Sequence, residues 1–599
     1  MAASPSWFPV DEYTRRQQLH EKQVEELEAR HRLLGYLKLI LVAATILAVW
    51  SWYSGFHTSP WLIALPVLLF VAAAIYHVSV LRKQANERRA IAVYTSGLAR
   101  IEDRWPRTTE RALPAERITP TLYAKDLDIV GPGSLFELLC MARTRMGERR
   151  LLEWLLAPAS LKTIERRQNA IAELRTQLDF RETMAVSGEA ASLGVDPDAL
   201  TTWAQSSSSF AAPQVRWLAA GLALLALGAI AFWIAQGRIA PLVATLIIEG
   251  CLARWLKRRM SAVLNGTGEA FQNLQLVSAL LSEIEKQTFE TPYLRNVQEQ
   301  LLARQTVASE AIAKLRALVS WKDALKNPLV LLFNLPLLYS VQLAFAVHGW
   351  REQYGAELES WLNALGEFEA LLSLATYSYE HPDDPFPTFT DGPVSFNAQE
   401  MGHPLIPAAS CVRNSVAIGE STRVLVISGS NMSGKSTLMR TVGINTVLAL
   451  CGAPVRARQM QLTPLRIGAS LLVNDSLQRG VSRFYAEIEK LQAICVLAQQ
   501  PGTPVLFLLD ELLQGTNSAD RLVGAEGVVW ELVSAGAIGI LTTHDLSLTR
   551  IVDGNGELKN MHFQDSIVDG KMQFDFCLRE GVVTRSNGVE LMRLIGLKV

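Results

Sequence analysis

The residues best suited to chemistry stand together in the stretch 429–437, which reads GSNMSGKST. The spacing G-x-x-x-x-G-K-S is typical of a loop whose backbone N–H groups surround the phosphates of a nucleotide. In such a loop Lys435 would reach the β- and γ-phosphates, and the hydroxyl of Ser436 would bind Mg2+. The pattern therefore predicts a site for ATP and Mg2+. Its expected nucleotide contacts are Gly429, Ser430, Asn431, Met432, Ser433, Gly434, Lys435, Ser436 and Thr437.

Two acidic residues and a histidine complete the set of candidate catalytic groups. Asp510 and Glu511 follow the apolar run VLFLL, and His544 follows the run IGILTT. We expect Asp510 to hold Mg2+, Glu511 to take a proton from an attacking water, and His544 to polarise that water or contact the γ-phosphate. With Lys435, these residues predict ATP hydrolysis to ADP and phosphate.

The elements that must position these groups can be seen in the same sequence. The apolar runs at 423–428, 505–509 and 538–543 are short and continuous, as in buried parallel strands, and a helix-forming segment follows the glycine loop. Ligands bind at the carboxyl edge of such sheets, which is where all the candidate residues stand. We therefore expect an α/β P-loop NTPase domain, related to the ABC ATPases, in residues 382–599.

The composition raises a second question, because it favours a membrane. Hydrophobic residues make up 49% of the 599 residues and charged residues only 19%. Four apolar stretches approach the length that spans a bilayer. They form two hairpins, 33–53 with 61–80 and 217–234 with 239–253, and basic residues flank the ends of both. An even number of crossings leaves the N-terminus and the nucleotide site in the cytoplasm, at the inner or plasma membrane. Lys38 and Glu249, near the ends of two spans, are expected to reach the membrane interface.

A fifth apolar run, 328–347, could also span a membrane by hydropathy alone. A fifth crossing would place the nucleotide site outside the cell, and Asn334 and Pro336 interrupt the run. We therefore expect buried core helices there. The net charge of −1 gives no general attraction to a polyanion such as nucleic acid.

Several motifs, in this order, resemble the MutS family of DNA mismatch-repair ATPases. They are GSNMSGKST, GVSRFYAE, LLDELLQGTNSADR and the TTHD loop. Residues 126–174 resemble the start of the MutS core domain, helices within 262–376 resemble its lever region, and TRSNGVELMRLIGL resembles its closing strand and helix. The resemblance implies an all-α core and lever before the ATPase domain, here interrupted by the two hairpins.

The resemblance also implies a homodimer that ATP closes and hydrolysis opens. Ser482 would reach the γ-phosphate of the partner, and Gly515, Thr516 and Asn517 would line that interface. His403 resembles a residue of the loop near the adenine. Binding of DNA, including mismatched DNA, would follow from the family, but no segment of this chain resembles the domain that reads mismatches.

The predicted organisation has six parts. They are a cytoplasmic N-terminal helix (1–32), a first transmembrane hairpin (33–80), a helical region with the start of the core (81–214), a second hairpin (215–258), lever and core helices (259–381) and the ATPase domain (382–599). Two other functions remain open. One is an ABC-type transporter, although the signature motif of that class differs from the GVSRFYAE found here. The other is an ATPase switch or scaffold that binds no DNA.

Overall fold

The computed structural model describes most of the chain. The described residues are 9–54, 61–105, 121–187, 196–206, 210, 212–264, 274–303, 306–328, 333–471, 483–514, 516–553, 556–568 and 571–583. The chain is mixed α/β and mostly helical, and it forms two compact units. Unit 1 comprises 1–99, 142–148 and 177–369, and unit 2 comprises 100–141, 149–176 and 370–599.

Helices dominate the chain before residue 381. They are α1 (Pro9–Tyr53), α2 (Trp61–Ile101), α3 (Leu135–Leu139), α4 (Arg145–Leu156), α5 (Leu161–Thr176), α6 (Leu178–Val186), α7 (Pro197–Gln205), α8 (Pro213–Gln236), α9 (Ala240–Leu264), α10 (Leu274–Lys286), α11 (Pro292–Glu299), α12 (Ala308–Ala324), α13 (Tyr339–Tyr354) and α14 (Leu358–Glu380). A two-stranded hairpin, β1 (Leu302–Ala303) and β2 (Thr306–Val307), precedes α12. Helix α13 packs on α8, α9 and α12, so residues 339–347 of the run 328–347 form a largely buried helix, whereas Phe333 and Leu335 before it are exposed.

Helices α1 and α2 are longer than the spans predicted within them. Their polar halves are joined by hydrogen bonds, and their apolar halves leave large side chains such as Trp50 and Trp61 exposed. Among the described residues, three helices are long and apolar enough to cross a membrane: α1, α2 and α8. The fourth predicted span lies in α9, whose second half is rich in basic residues. Membrane insertion itself stays a prediction.

Two charged groups of these helices, Lys38 and Glu249, lie against neighbouring helices. The Nζ of Lys38 lies 2.6 Å from Nδ1 of His77 on α2. His77 in turn lies 2.7 Å from His31 on α1. Glu249 is fully buried on α9, and neither of its carboxylate oxygens has a hydrogen-bond partner in the described structure. Helix packing therefore encloses Glu249 and leaves Lys38 partly buried, and whether either group reaches a membrane interface stays a prediction.

Unit 2 is built on a parallel sheet. Its strands are β6 (Val424–Ser428), β8 (Arg466–Ser470), β9 (Val505–Asp510), β10 (Ile538–Thr543), β11 (Leu558–Val568) and β12 (Lys571–Glu580), in the order β12-β11-β6-β10-β9-β8. All neighbours are parallel except β11 and β12. The predicted strands at 423–428, 505–509 and 538–543 are confirmed as β6, β9 and β10.

Helices and a second sheet complete unit 2. The helices α15 (Lys435–Cys451), α16 (Arg483–Gln499) and α17 (Ser518–Ser534) follow β6, β8 and the acidic pair, respectively. The second sheet has the order β3-β7-β4-β5, with β3 (Thr388–Phe389), β4 (Phe396–Met401), β5 (Asn414–Ile418) and β7 (Gln459–Leu462). Side chains of β6, β9 and β10 pack with those of α16 and α17 in one apolar core, so the sheet edge is a rigid base for the residues that follow each strand.

Candidate nucleotide site

The loop 429–434 joins the central strand β6 to helix α15. Gly434 has φ +103°, in the left-handed region that favours glycine, and a Cβ there would lie 3.1 Å from a ring carbon of Phe576. Within the described residues no side chain caps the N-terminus of α15, so its first backbone N–H groups are available to an anion. The hydroxyl oxygens of Ser430 and Ser433 are buried without a hydrogen-bond partner in the described structure. This loop has the donors that phosphate oxygens need.

Lys435 is buried at the base of the loop. Its Nζ donates hydrogen bonds of 2.8 Å to the carbonyl oxygens of Gly429 and Ser430. Burial lowers the pKa of this lysine, and the nearby carboxylates of Glu511 and Asp510 oppose that effect. The ammonium group therefore already lies inside the loop, where it can move from carbonyl oxygens to phosphate oxygens.

Asp510, at the end of β9, meets the first turn of α15. Its Oδ2 accepts a hydrogen bond of 2.6 Å from the hydroxyl of Ser436, and its Oδ1 accepts one from the hydroxyl of Thr542 on β10. A hydroxyl beside a carboxylate is an oxygen donor set suited to Mg2+, which usually keeps several water ligands. The predicted pairing of Ser436 with Asp510 is therefore present in the geometry.

Glu511 lies next to both Lys435 and His544. Its Oε1 is 3.9 Å from Nζ of Lys435 and 3.2 Å from Nδ1 of His544, and its Oε2 accepts a hydrogen bond from the side chain of Gln514. The backbone of Glu511 has φ +48°, uncommon for a residue with a side chain, and its N–H donates to the carbonyl of Thr542. The fold thus brings together all three residues predicted to be catalytic.

Other predicted residues lie elsewhere or serve the local structure. Asn517 caps α17, where its side chain accepts a hydrogen bond from the N–H of Asp520. Thr516 stands just before this cap and is partly buried, while Asn431, Met432 and Thr437 are exposed around the loop. Ser482, Gly515 and the closing element at 584–597 lie outside the described residues.

His403 is buried in the segment after β4. Its Nδ1 accepts a hydrogen bond of 3.2 Å from the N–H of Leu405. Burial lowers the pKa of His403 to about 4, and the cations Arg440 and Arg456 lower it further in the same direction. His403 is therefore neutral near pH 7, and none of its described hydrogen bonds reaches the glycine loop.

Sequence reasoning missed three residues of this site. Thr542 binds Asp510, the ring of Phe576 on β12 lies against Gly434, and buried Glu487 on α16 accepts a hydrogen bond of 2.6 Å from the N–H of Leu513. Thr542 stands two residues before His544, at the sheet edge that the sequence already indicated, so its position in the sequence could have identified it. No pattern links Phe576 to a loop so far away in the chain.

In this sheet the central strand β6 leads through a glycine loop into a helix, and the acids end β9, which is separated from β6 by β10. Such an arrangement is typical of proteins that bind nucleotides. The MutS domain III family model matches residues 122–495, and the MutS domain V model matches residues 425–598. The first match covers more than half of the chain, and the chain belongs to the MutS family.

Individual relatives agree with this family. The chain is 34% identical over 242 residues to DNA mismatch repair protein MutS 2 of Halobacterium salinarum, which covers 39% of this chain and 27% of the relative. It is 31% identical over 196 residues to endonuclease MutS2 of Thermus thermophilus, with 33% and 25% covered. For DNA mismatch repair protein MSH4 of Arabidopsis thaliana, the identity is 32% over 233 residues, with 37% and 29% covered. These matches span between a quarter and a third of each relative's length.

Proposed function

We propose that this chain is a membrane-anchored ATPase of the MutS family that acts as a homodimer. The observation that carries the proposal is the convergence of Lys435, Asp510 with Ser436, and Glu511 with His544 at one edge of the sheet. Membership of the MutS family supports this function and argues against an ABC-type transporter.

The glycine loop would hold the phosphates of ATP. The uncapped N–H groups at the start of α15 and the unpartnered hydroxyls of Ser430 and Ser433 would donate hydrogen bonds to phosphate oxygens. Lys435 would exchange its two carbonyl partners for the same oxygens. The partly exposed ring of Phe576, which stacks on Phe574, offers an apolar surface beside the loop for a nucleobase.

Ser436 and Asp510 would hold Mg2+ between them, Ser436 directly and Asp510 through water. When bound, Mg2+ neutralises charge on the β- and γ-phosphates. Thr542 keeps the Asp510 carboxylate in place through its hydroxyl.

Glu511 is the group in position to accept a proton from a water. Its carboxylate lies between an ammonium group and an imidazole, and Gln514 binds its second oxygen. His544 can donate a hydrogen bond to the carboxylate or, after a small rotation, to a water or a phosphate oxygen. The backbone hydrogen bonds of Glu511 and Leu513 hold this strained loop, so the carboxylate does not depend on a flexible segment for its position.

The substitution Glu511→Gln tests the catalytic assignment in the purified full-length protein. We expect nucleotide binding to persist and turnover to fall at least about 100-fold, as for loss of a general base. Lys435→Met should weaken nucleotide binding. Glu526→Gln, an exposed carboxylate on α17, is the matched control and should leave both unchanged. Full turnover by Glu511→Gln would refute the assignment.

The dimer is the second part of the proposal. In the family arrangement, ATP would lie between two subunits, with Ser482, Gly515, Thr516 and Asn517 at the shared surface. Mass measurement by light scattering should show that ATP converts the Glu511→Gln protein from monomer to dimer, and that adding Ser482→Ala prevents this. A mass independent of nucleotide in both proteins would end the dimer model.

The membrane anchor is the third part. We propose four transmembrane helices at the inner or plasma membrane, with the N-terminus and residues 259–599 in the cytoplasm. The exposed apolar side chains of α1, α2 and α8 support it. Single cysteines placed at 57, 237 and 420 can be labelled in intact cells with an impermeant reagent. We expect labelling at 57 and 237 only; labelling at 420 would contradict the topology.

DNA is the partner that the names of the relatives suggest. Of the three relatives described above, two are called DNA mismatch repair proteins and one is called an endonuclease. We propose that the dimer closes on DNA near the membrane, with mismatch binding as the specific form to test. Titration with matched and mismatched duplexes at several salt concentrations separates the cases. Absence of binding at low salt would leave an ATPase switch that acts without DNA, and equal binding would exclude mismatch specificity.

A further inference from the structure

Residues 121–129 form a segment that lies against three elements of unit 2. The carbonyl of Leu122 accepts a hydrogen bond of 2.9 Å from the N–H of Ala469, on the edge strand β8. Leu127 lies so close to α15 that a Cβ added at Gly443 would be 2.5 Å from one of its methyl groups. The helix contacted in this way is the one that begins at Lys435.

Asp126 is the most highly connected residue of this segment. It is 3% exposed, and its Oδ1 accepts hydrogen bonds from the N–H of Leu471 at 2.8 Å and from Nζ of Lys490 at 2.7 Å. Its Oδ2 lies 2.6 Å from the same ammonium group. The backbone carbonyl of Asp126 also accepts a hydrogen bond of 3.2 Å from Nε of Arg440 on α15. A buried carboxylate with these partners fixes two elements at once.

Lys490 stands one helical turn after Glu487 on α16, so the two side chains share one side of the helix. The carboxylate of Glu487 accepts a hydrogen bond of 2.6 Å from the N–H of Leu513, which lies two residues after Glu511. Glu511 and Leu513 have φ angles of +48° and +56°, a conformation that residues with side chains adopt only when their surroundings hold them there. Helix α16 is therefore one of the elements that hold the loop of Glu511 in its unusual conformation, together with β10 through Thr542 and α17 through Arg521.

We infer that Asp126 is a positioning residue for the proposed hydrolysis: through its ion pair with Lys490 it fixes α16, and Glu487 on that helix fixes the loop that carries Glu511. The inference rests on the proposed function. It predicts that loss of the ion pair slows turnover without loosening the binding of the nucleotide, because the glycine loop and Lys435 are untouched. Asp126 touches neither substrate nor reacting atoms.

The test uses the full-length protein and the substitutions Asp126→Asn, Lys490→Met and their combination. Asp126→Asn keeps an acceptor for the N–H of Leu471 but removes the charge and replaces the oxygen that accepts only from Lys490 with an NH2 group. We expect each single substitution to lower kcat about tenfold, with KM and the nucleotide Kd changed less than about twofold, and the combination to be no worse, because paired residues are not additive. Lys490→Arg, which keeps the charge, should restore kcat. Asp128→Asn, which loses a more exposed pair with Arg440, is the matched control.

Three results would overturn the inference: normal kcat in both single variants, losses that multiply in the combined variant, or a parallel rise in KM and Kd. If Asp126→Asn does not fold, the comparison of kcat between Lys490→Met and Lys490→Arg tests the inference by itself. Lys490 is more exposed than Asp126, so its substitution disturbs the fold less. Failure of the proposed function would give a different result. The wild-type protein would then show no ATP turnover, or a turnover that Glu511→Gln does not change.

Discussion

Glu369 provides a test of the structure that does not depend on ATP. This carboxylate on α14 is buried, and it accepts hydrogen bonds from the N–H groups of Arg143 at 2.7 Å and Thr144 at 3.2 Å. The hydroxyl of Thr144 donates to its other oxygen. The partners stand just before α4, and the hydroxyl of Thr144 also accepts a hydrogen bond of 3.3 Å from the N–H of Gly147 in the first turn, so Glu369 holds the residue that caps that helix. We propose the substitution Glu369→Gln, which keeps the size and an acceptor for both N–H groups.

The expected effect follows from the pKa. Burial raises the pKa of Glu369 from 4.5 to about 7, while the hydrogen bonds from Thr144 and Arg143 oppose the shift and Glu148 adds to it. A raised pKa means that the folded state favours the protonated acid. The free energy of unfolding should therefore decrease as the pH rises from about 4.5 to about 7 and stay constant above that. The difference between the two pKa values corresponds to about 3 kcal/mol, since one pKa unit equals about 1.4 kcal/mol.

The assay is thermal unfolding of the wild type and of Glu369→Gln across pH 4.5 to 8. Because glutamine does not titrate, the Tm of the variant should rise relative to the wild type through this window, by several degrees in total. Glu359→Gln, an exposed position on the same helix, should follow the wild type at every pH. Parallel curves for Glu369→Gln and the wild type would refute the argument that burial dominates at this carboxylate.

Three further substitutions test other parts of the structure. Gly443→Ala would place a Cβ 2.5 Å from a methyl group of Leu127 and should lower stability by about 1–3 kcal/mol, whereas Gly527→Ala meets open space and should not; equal Tm values would contradict this. Phe576→Ala should weaken ATP binding by about two- to tenfold in a fluorescent-nucleotide titration, the range of an aromatic contact, and an unchanged Kd would exclude contact with the base. Glu182→Gln removes a partner shared by Arg16 and His20, so trypsin should cut near the start of α1 faster than in the wild type. Unchanged cleavage would show that this cluster does not hold α1.

The central part of the fold could be predicted from the sequence because its signals are local. Buried parallel strands are continuous apolar runs, and the runs before Gly429, Asp510 and His544 are strands β6, β9 and β10. Adjacent parallel strands end at the same edge, so residues that follow them must converge. That rule alone is sufficient to bring Glu511 close to both Lys435 and His544.

The apolar helices show where local signals end. Hydropathy locates α1, α2 and α8, but it treats each helix as if it were alone. Lys38 meets His77 across a helix pair, and Glu249 is enclosed between helices, because packing decides which side of a helix is buried. A count of apolar residues contains no information about which helix will be the neighbour.

Asp126 and Glu369 share a property that explains why no sequence pattern reveals them. Each carboxylate accepts hydrogen bonds from backbone N–H groups, of Leu471 in one case and of Arg143 and Thr144 in the other, and these partners lie more than 200 residues away. A backbone N–H is present at almost every residue, so the partner leaves no mark on the sequence. The catalytic acids differ because their partners are side chains of restricted types at a common sheet edge. Acids that bind side chains at such an edge can thus be recognised in advance, whereas acids that bind distant backbone require the fold.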